Sequence, residues 1–407
     1  MLFKSGKPLT TTRSHPVISA LDTTHLLLAA LRPDAVSQSW QQACEQAAVD
    51  WDDLAVRAIV LGLAPQLHRR LQDWDIDIPQ RSAAKLAVTH QAHAQRNQAI
   101  FAQLDQIVAA CAAQDVQPIA LKGVHLAAAV YAEPALRPMN DIDLLFEPAE
   151  MARVVQVFNQ LGYEQRHKAA ELGAGVTKHT STFRRSGNNG STPNPYLSAA
   201  GDRTVEPHVS LQESWYGLQV DVTPGMRSRA VTVTPGEQPL RALAAEDLLL
   251  HLSVHFTFHL IMGAPALVQL CDLLVVSQIQ RLQWDLLLQQ TRDCGATPYV
   301  LAALFLAQRL LHAPVPGDVL ARLGERTPGP LSRHILNLDL RAVLQRTQQQ
   351  PWRNTPQRLL HGLRARAETA RWAPDAAARL RVWQTALQIS RSDTGRELLQ
   401  KAGWSQT

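Results

Sequence analysis

"LRPMNDIDLLF", residues 136–146, sets Asp141 and Asp143 one residue apart inside an apolar run. Aspartate disfavours strands, and a buried carboxylate without a partner is costly. Strand side chains alternate between faces, so residues two apart point the same way. Both carboxylates therefore leave one face, and Ile142, Leu144 and Phe146 pack on the other. Two like charges this close repel unless a cation sits between them. Magnesium meets that need, because it takes oxygen ligands, often one or two carboxylates plus substrate phosphates.

The residues upstream extend the pattern. "IALKG", residues 119–123, reads as a short strand running into a Lys-Gly turn at the start of a short helix. Gly123 there would let backbone approach a ligand closely. A helix N-terminus favours phosphate, and Lys122 could neutralise phosphate charge. The arrangement suits a metal-bound triphosphate. In a two-metal site an Asp-x-Asp pair can bridge both ions of a phosphoryl or nucleotidyl transfer.

The stretch "LKGVHLAAAVYAEPALRPMNDIDLLF" resembles the nucleotidyltransferase superfamily, the DNA polymerase beta-like fold. More closely, it is similar to the bacterial "uncharacterised nucleotidyltransferase" branch. Lys122, Gly123, Tyr131, Arg137, Asp141 and Asp143 fall where that branch's pattern places them. The resemblance is specific over 117–165 and looser to about residue 290. It implies that Lys122, Gly123 and Arg137 bind the nucleotide, with ion pairing to the acids as the other reading of Arg137. Tyr131 is expected to pack, and His125, on the short helix, to lie at the surface or to pack. The wider superfamily has Gly-Ser at the phosphate turn, where this chain has Lys-Gly.

The resemblance also implies a third carboxylate from a later strand, in a pattern of acid, apolar residue and His. "TVEPHVSL" supplies Glu206 and His208, and Asp221 in "LQVDVTP" is the rival. Asp141, Asp143 and Glu206 are thus the expected catalytic residues and the expected metal ligands. Pro207 departs from the pattern, since proline is awkward in a central strand.

Around this centre the chain reads as helix. Apolar residues recur at spacings of three and four over residues 20–110, with Ser82 a candidate N-cap. "EMARVVQVFNQLGYEQ" reads as a helix ending near Gly162. "TSTFRRSG" and "RTVEPHVSL" read as strands, and "YGLQVDVTPG" as a further edge strand. Residues 186–202, rich in Gly, Asn, Ser and Pro, read as a loop. Helical periodicity returns from Ala244. The expected fold is α+β, mostly α: a small mixed sheet of nucleotidyltransferase type between two helical regions. The expected division is 1–114, 115–235 and 236–407.

"EDLLLHLSVHFTFHL", residues 246–260, spaces His251, His255 and His259 four apart, on one helical face. No HExxH accompanies them, so a zinc site is not expected. The resemblance implies a hydrogen bond from His255 to Asp272 in the next helix. Cys44, Cys111, Cys271 and Cys294 are scattered with no CxxC pair, and read as reduced and mostly buried.

Net charge is +5 for the 407 residues, yet residues 321–407 alone carry 15 Arg or Lys against 6 Asp or Glu. Such an excess can bind nucleic acid. Here the arginines alternate with alanine and leucine at helical spacing, as on a solvated outer face. Specific nucleic-acid binding is therefore not expected. No apolar run is long enough to span a bilayer, and no signal-peptide pattern opens the chain, so a cytoplasmic location is expected. The expected activity is transfer of an NMP group from an NTP, ATP being expected for its abundance, with Mg²⁺ or Mn²⁺. The acceptor, a protein, a small molecule or RNA, stays open. The alternative is an inactive binding or scaffold protein on the same fold.

Overall fold

The Asp-x-Asp segment forms the middle strand of a mixed seven-stranded sheet in the computed structural model, which describes residues 19–166, 181–185, 203–234, 237–347 and 355–391. The strands are β1 (Ile119–Ala120), β2 (Asp141–Leu145), β3 (Tyr163–Arg166), β4 (Thr182–Arg185), β5 (Thr204–His208), β6 (Gln212–Trp215), β7 (Leu218–Asp221), β8 (Val231–Val233) and β9 (Leu240–Ala242). Their order in the large sheet is β3-β4-β5-β2-β1-β9-β8, and β6 and β7 form a separate ribbon. β2 runs parallel to β5 and antiparallel to β1. The short helix Lys122–Ala129 links β1 to β2.

β2 sorts its side chains as a period-two strand should. Ile142, Leu144 and Phe146 are buried in one cluster with Ile100, Leu104 and Ile107 of the long helix Gln80–Ala112 and Val154, Val157 and Phe158 of the helix Met151–Gln160. Leu145, on the face of the two aspartates, joins the larger cluster, which includes Leu121, Leu126 and the core of the helix Ala245–Met262. The sheet is therefore covered on both faces. Burial of this kind is worth roughly 1.5–3 kcal/mol for each large apolar side chain.

Helices dominate the rest. Among the described residues five precede β1, from Ala20–Leu31 to Gln80–Ala112, and those after β9 run from Ala245–Met262 to Ala376–Arg391. The α+β architecture with helical flanks is the one the sequence pointed to. No helix among the described residues is long and apolar enough to cross a membrane.

Several local expectations are corrected. The helix ends near Gly162 as expected, at Gln160, but Tyr163–Arg166, read within the same stretch, turns back as β3, a sheet edge. The YGLQVDV stretch is a strand, but it pairs only with β6 among the described residues. Its turn is a two-residue hairpin in which Tyr216 and Gly217 have φ of 43° and 78°, as a type I′ turn requires. A Cβ on Gly217 would lie 2.9 Å from the Arg381 carbonyl oxygen, so glycine also lets the last helix dock there. β8 and β9 were not anticipated, because three-residue strands carry too little alternation to read. β9 pairs with β1, so the sheet draws on chain beyond residue 235. The loop expected at 186–202 lies outside the described residues.

Candidate functional site

β2 and β5 build the site between them. Their parallel register sets Asp141 opposite Thr204, Asp143 opposite Glu206 and Leu145 opposite His208. Because the pleat alternates, Glu206 and His208 emerge on the face that carries Asp141 and Asp143. Asp143 is 3% exposed, Glu206 9% and His208 1%. Ligand atoms of these three side chains lie within 4.8 Å of one another, and no other group of three or more possible ligands gathers among the described residues.

Pro207 fits this ladder. The Phe146 amide donates to the His208 carbonyl, so the backbone groups of Glu206 and His208 face β2, and those of Pro207 face the β4 side. There β4 pairs with β5 at Phe183–Val205. The proline's missing N–H falls just past that pairing, where it interrupts no rung among the described residues.

Asp143 is the hub. Its Oδ1 accepts from Lys122 Nζ at 2.9 Å and from His208 Nε2 at 2.7 Å. Burial alone would raise its pKa, but the Lys122 and His208 contacts hold it well below the usual carboxylate range. Burial likewise works against charge on Lys122, and the Asp143 and Asp141 charges more than offset it, so its pKa rises. Burial lowers the pKa of His208, leaving a neutral imidazole whose Nε2–H donates to Asp143. Asp141 is partly buried, and burial with the neighbouring Asp143 charge pushes its pKa up to about 7.

The Lys-Gly turn carries an unusual backbone. The positive φ, 46°, belongs to Lys122, a non-glycine residue at the first position of the short helix. Such a conformation costs on the order of 1 kcal/mol, and the buried ion pair to Asp143 holds it in place. At Gly123 a Cβ would sit 3.2 Å from Met139 Cγ, just before β2, so the close approach there also favours glycine.

Arg137 takes Asp272 as its hydrogen-bonding partner, while its charge still bears on Asp141. Its Nε donates to Asp272 Oδ1 at 2.6 Å, and the Tyr131 hydroxyl donates to the same oxygen at 2.8 Å. Asp272 is fully buried on the helix Leu267–Ser277. Asn97 of the long helix braces this loop by donating to the carbonyls of Pro134 and Arg137 at 2.6 and 2.9 Å. The expected His255–Asp272 hydrogen bond is therefore replaced. Asp272 serves Tyr131 and Arg137, and His255 Nδ1 lies 2.8 Å from Glu213 Oε1 on β6. His255 packs between His251 and His259, with ring centroids 5.9 and 4.2 Å away.

Two further expectations resolve. Asp221 lies on the separate ribbon, exposed, and accepts from the Thr223 amide at 2.9 Å, so it does not join the three-ligand group. His125 is buried in the short helix, where burial lowers its pKa to about 4. The sequence did not single out Glu213 or Asn97, and it named His208 only as part of the pattern around Glu206, two positions on along the same strand face. Glu213 had no signal, since "QESW" shows neither clear alternation nor a motif.

The donor set of buried carboxylates and an imidazole is chemically suited to a divalent cation. The comparison with protein families agrees in kind. The chain belongs to the family described as uncharacterised nucleotidyltransferase, whose model matches residues 47–312. That span covers the sheet, most of the N-terminal helices and the C-terminal helices through Thr297–Leu311. No curated protein and no solved structure matches the chain.

Proposed function

We propose that the protein is a metal-dependent nucleotidyltransferase that moves an NMP group from an NTP, with ATP as the working choice, to an acceptor nucleophile. The observation that supports this best is the register of β2 and β5, which sets Glu206 opposite Asp143 and one rung from Asp141. A bound Mg²⁺ or Mn²⁺ would lend positive charge to the triphosphate and stabilise the departing pyrophosphate. Asp141, Asp143 and Glu206 would hold it. Lys122 would bear on the phosphates, and Arg137 would keep the loop before β2 in place through Asp272. Glu206 would orient the acceptor or take its proton. The acceptor atom bonds to the α-phosphorus as the bond to pyrophosphate breaks, and pyrophosphate leaves with that electron pair. In this reading the sheet region, about 115–235 with β9, is the nucleotide side, and the flanking helices form the acceptor side.

The test is incubation of the purified protein with each α-labelled triphosphate, divalent cation and cell lysate, following where the label lands. Label transferred by the wild type and lost in Asp141→Asn supports the proposal. Undiminished transfer by folded Asp141→Asn and Glu206→Gln variants sinks it.

A further inference from the structure

We propose that His208 is itself a metal ligand, and that Asp143, Glu206 and His208 hold one divalent cation on the protein before any nucleotide arrives. The inference rests on the nucleotidyltransferase reading and adds to it a nitrogen donor, with the metal preference that follows.

Three features of the structure converge on this. Glu206 and His208 share one face of β5, and the register brings that face against Asp143. The three side chains are at least nine-tenths buried, and their ligand atoms lie within 4.8 Å of one another. His208 Nε2 is already 2.7 Å from Asp143 Oδ1. Two donors on neighbouring corners of an octahedral cation, with bonds of about 2.1 Å, stand about 3 Å apart, so this pair is close to coordination spacing. A cation entering there replaces the Nε2–H···Oδ1 bond. The ring proton then resides on Nδ1, Nε2 offers its lone pair, and no proton is lost overall.

Asp141, one step earlier on β2, lies outside this group. It is left for a cation carried in with the triphosphate. A set of two carboxylates and one imidazole also discriminates between metals. Mg²⁺ favours all-oxygen shells and sheds water reluctantly, whereas imidazole suits first-row transition cations. The protein-held position should therefore take Mn²⁺ in preference to Mg²⁺.

The experiment is Mn²⁺ titration of the metal-stripped, full-length protein without nucleotide, followed by electron paramagnetic resonance. The expected result is a single bound Mn²⁺ whose pulsed spectrum shows coupling to a ¹⁴N nucleus. His208→Gln should remove that coupling and weaken Mn²⁺ binding by at least about 10-fold, since loss of even an outer-shell partner costs that much. Mg²⁺ should displace the Mn²⁺ only in large excess. Bound Mn²⁺ without nitrogen coupling in the wild type overturns the inference and leaves His208 as a hydrogen-bond partner that orients Asp143. This readout stands even if the variant fails to fold. If Mn²⁺ binds only together with ATP, the inference fails while the nucleotidyltransferase reading survives. If neither Mn²⁺ nor Mn²⁺–ATP binds, that reading fails as well.

Discussion

Lys122 and Asp143 form a buried ion pair across the junction of helix and strand, Nζ to Oδ1 at 2.9 Å. The two aspartates of one motif therefore act on stability in opposite directions. Asp143→Asn removes the counter-charge of a buried lysine, and breaking a buried pair from one side costs about 3–5 kcal/mol. Asp141→Asn removes a carboxylate crowded by Asp143 and should be neutral or stabilising. Urea denaturation of the cation-free variants measures both. Equal losses from the two substitutions would show that the pair does not divide this way.

The same crowding gives a pH signature. The Asp141 pKa is raised from 3.8 to about 7, so between those values the folded state binds a proton that the unfolded chain has released. The contribution is fully present below about pH 4, falls as pH rises, and is gone above about pH 7. Asp143, held low, acts in the other sense and only in acid: its stabilisation is lost as pH falls below the unfolded carboxylate range. The difference in unfolding free energy between wild type and Asp141→Asn should thus change by on the order of 2–4 kcal/mol from pH 4.5 to 7.5, with wild type losing ground as pH rises. Divalent cation supplied with ATP should shift Tm more at pH 8 than at pH 6, because the cation carried in with the triphosphate binds the ionised Asp141 carboxylate. A pH-independent difference would refute the assignment.

Glu206→Gln keeps the side chain's size and removes its charge. It should cut NMP transfer at least as severely as Asp141→Asn, while labelled nucleotide still binds in the presence of cation. Asp221→Asn changes an exposed residue on the β6–β7 ribbon and should transfer at close to the wild-type rate. The reverse order of effects would move the third carboxylate to Asp221.

What the sequence disclosed follows from the range of the forces involved. The faces of Asp141 and Asp143 were legible because strand alternation is local, and the apolar residues Ile142 and Leu144 announce it. Pro207 looked disruptive because the sequence does not reveal where β4 stops pairing with β5. The partners of Asp272 and His255 were misassigned for a related reason. Arg137 lies 135 residues from Asp272, and Glu213 lies 42 residues from His255 on a short ribbon. Helix spacing identifies a shared face, but which distant acid meets it depends on how the elements pack. Helical spacing alone places Arg366 with the exposed arginines. Yet it is buried, its guanidinium 4.3 Å from the Tyr216 ring centroid, as a long amphipathic stem allows.

The two buried carboxylate contacts should differ in weight. Asp272→Asn leaves Arg137 without its anion at a buried site, for about 3–5 kcal/mol. His255→Ala removes one hydrogen bond to buried Glu213, for roughly 1–3 kcal/mol. The double variant Asp272→Asn/His255→Ala should be close to additive, because the two contacts share no residue. Strong coupling between them, measured in a double-mutant cycle, would revive a direct His255–Asp272 contact.

The basic C-terminal region tests the expectation about nucleic acid. Arg364, Arg371, Arg379 and Arg381 are exposed on the helices Thr355–Arg371 and Ala376–Arg391, whereas Arg366 is buried and Trp372 fully so. Arg371 lies 3.3 Å from Glu368. Trp383 is 40% exposed, the one tryptophan on these helices open to a base. A site for single-stranded nucleic acid combines a cationic groove with several stacking rings, and a lone ring among dispersed arginines does not meet that description. At about 150 mM salt, binding to tRNA or duplex DNA should be no tighter than the non-specific range of roughly 10⁻⁴–10⁻⁶ M, with a steep loss as salt rises. Truncation is a poor control, because these helices pack on the β6–β7 turn and contribute to the core. Replacing Arg364, Arg371, Arg379 and Arg381 by glutamine changes surface charge alone. That variant should keep the wild-type Tm within a few degrees and weaken the salt-sensitive binding uniformly across sequences. Submicromolar, sequence-dependent binding that the four substitutions abolish would contradict the expectation and make RNA the first acceptor to test.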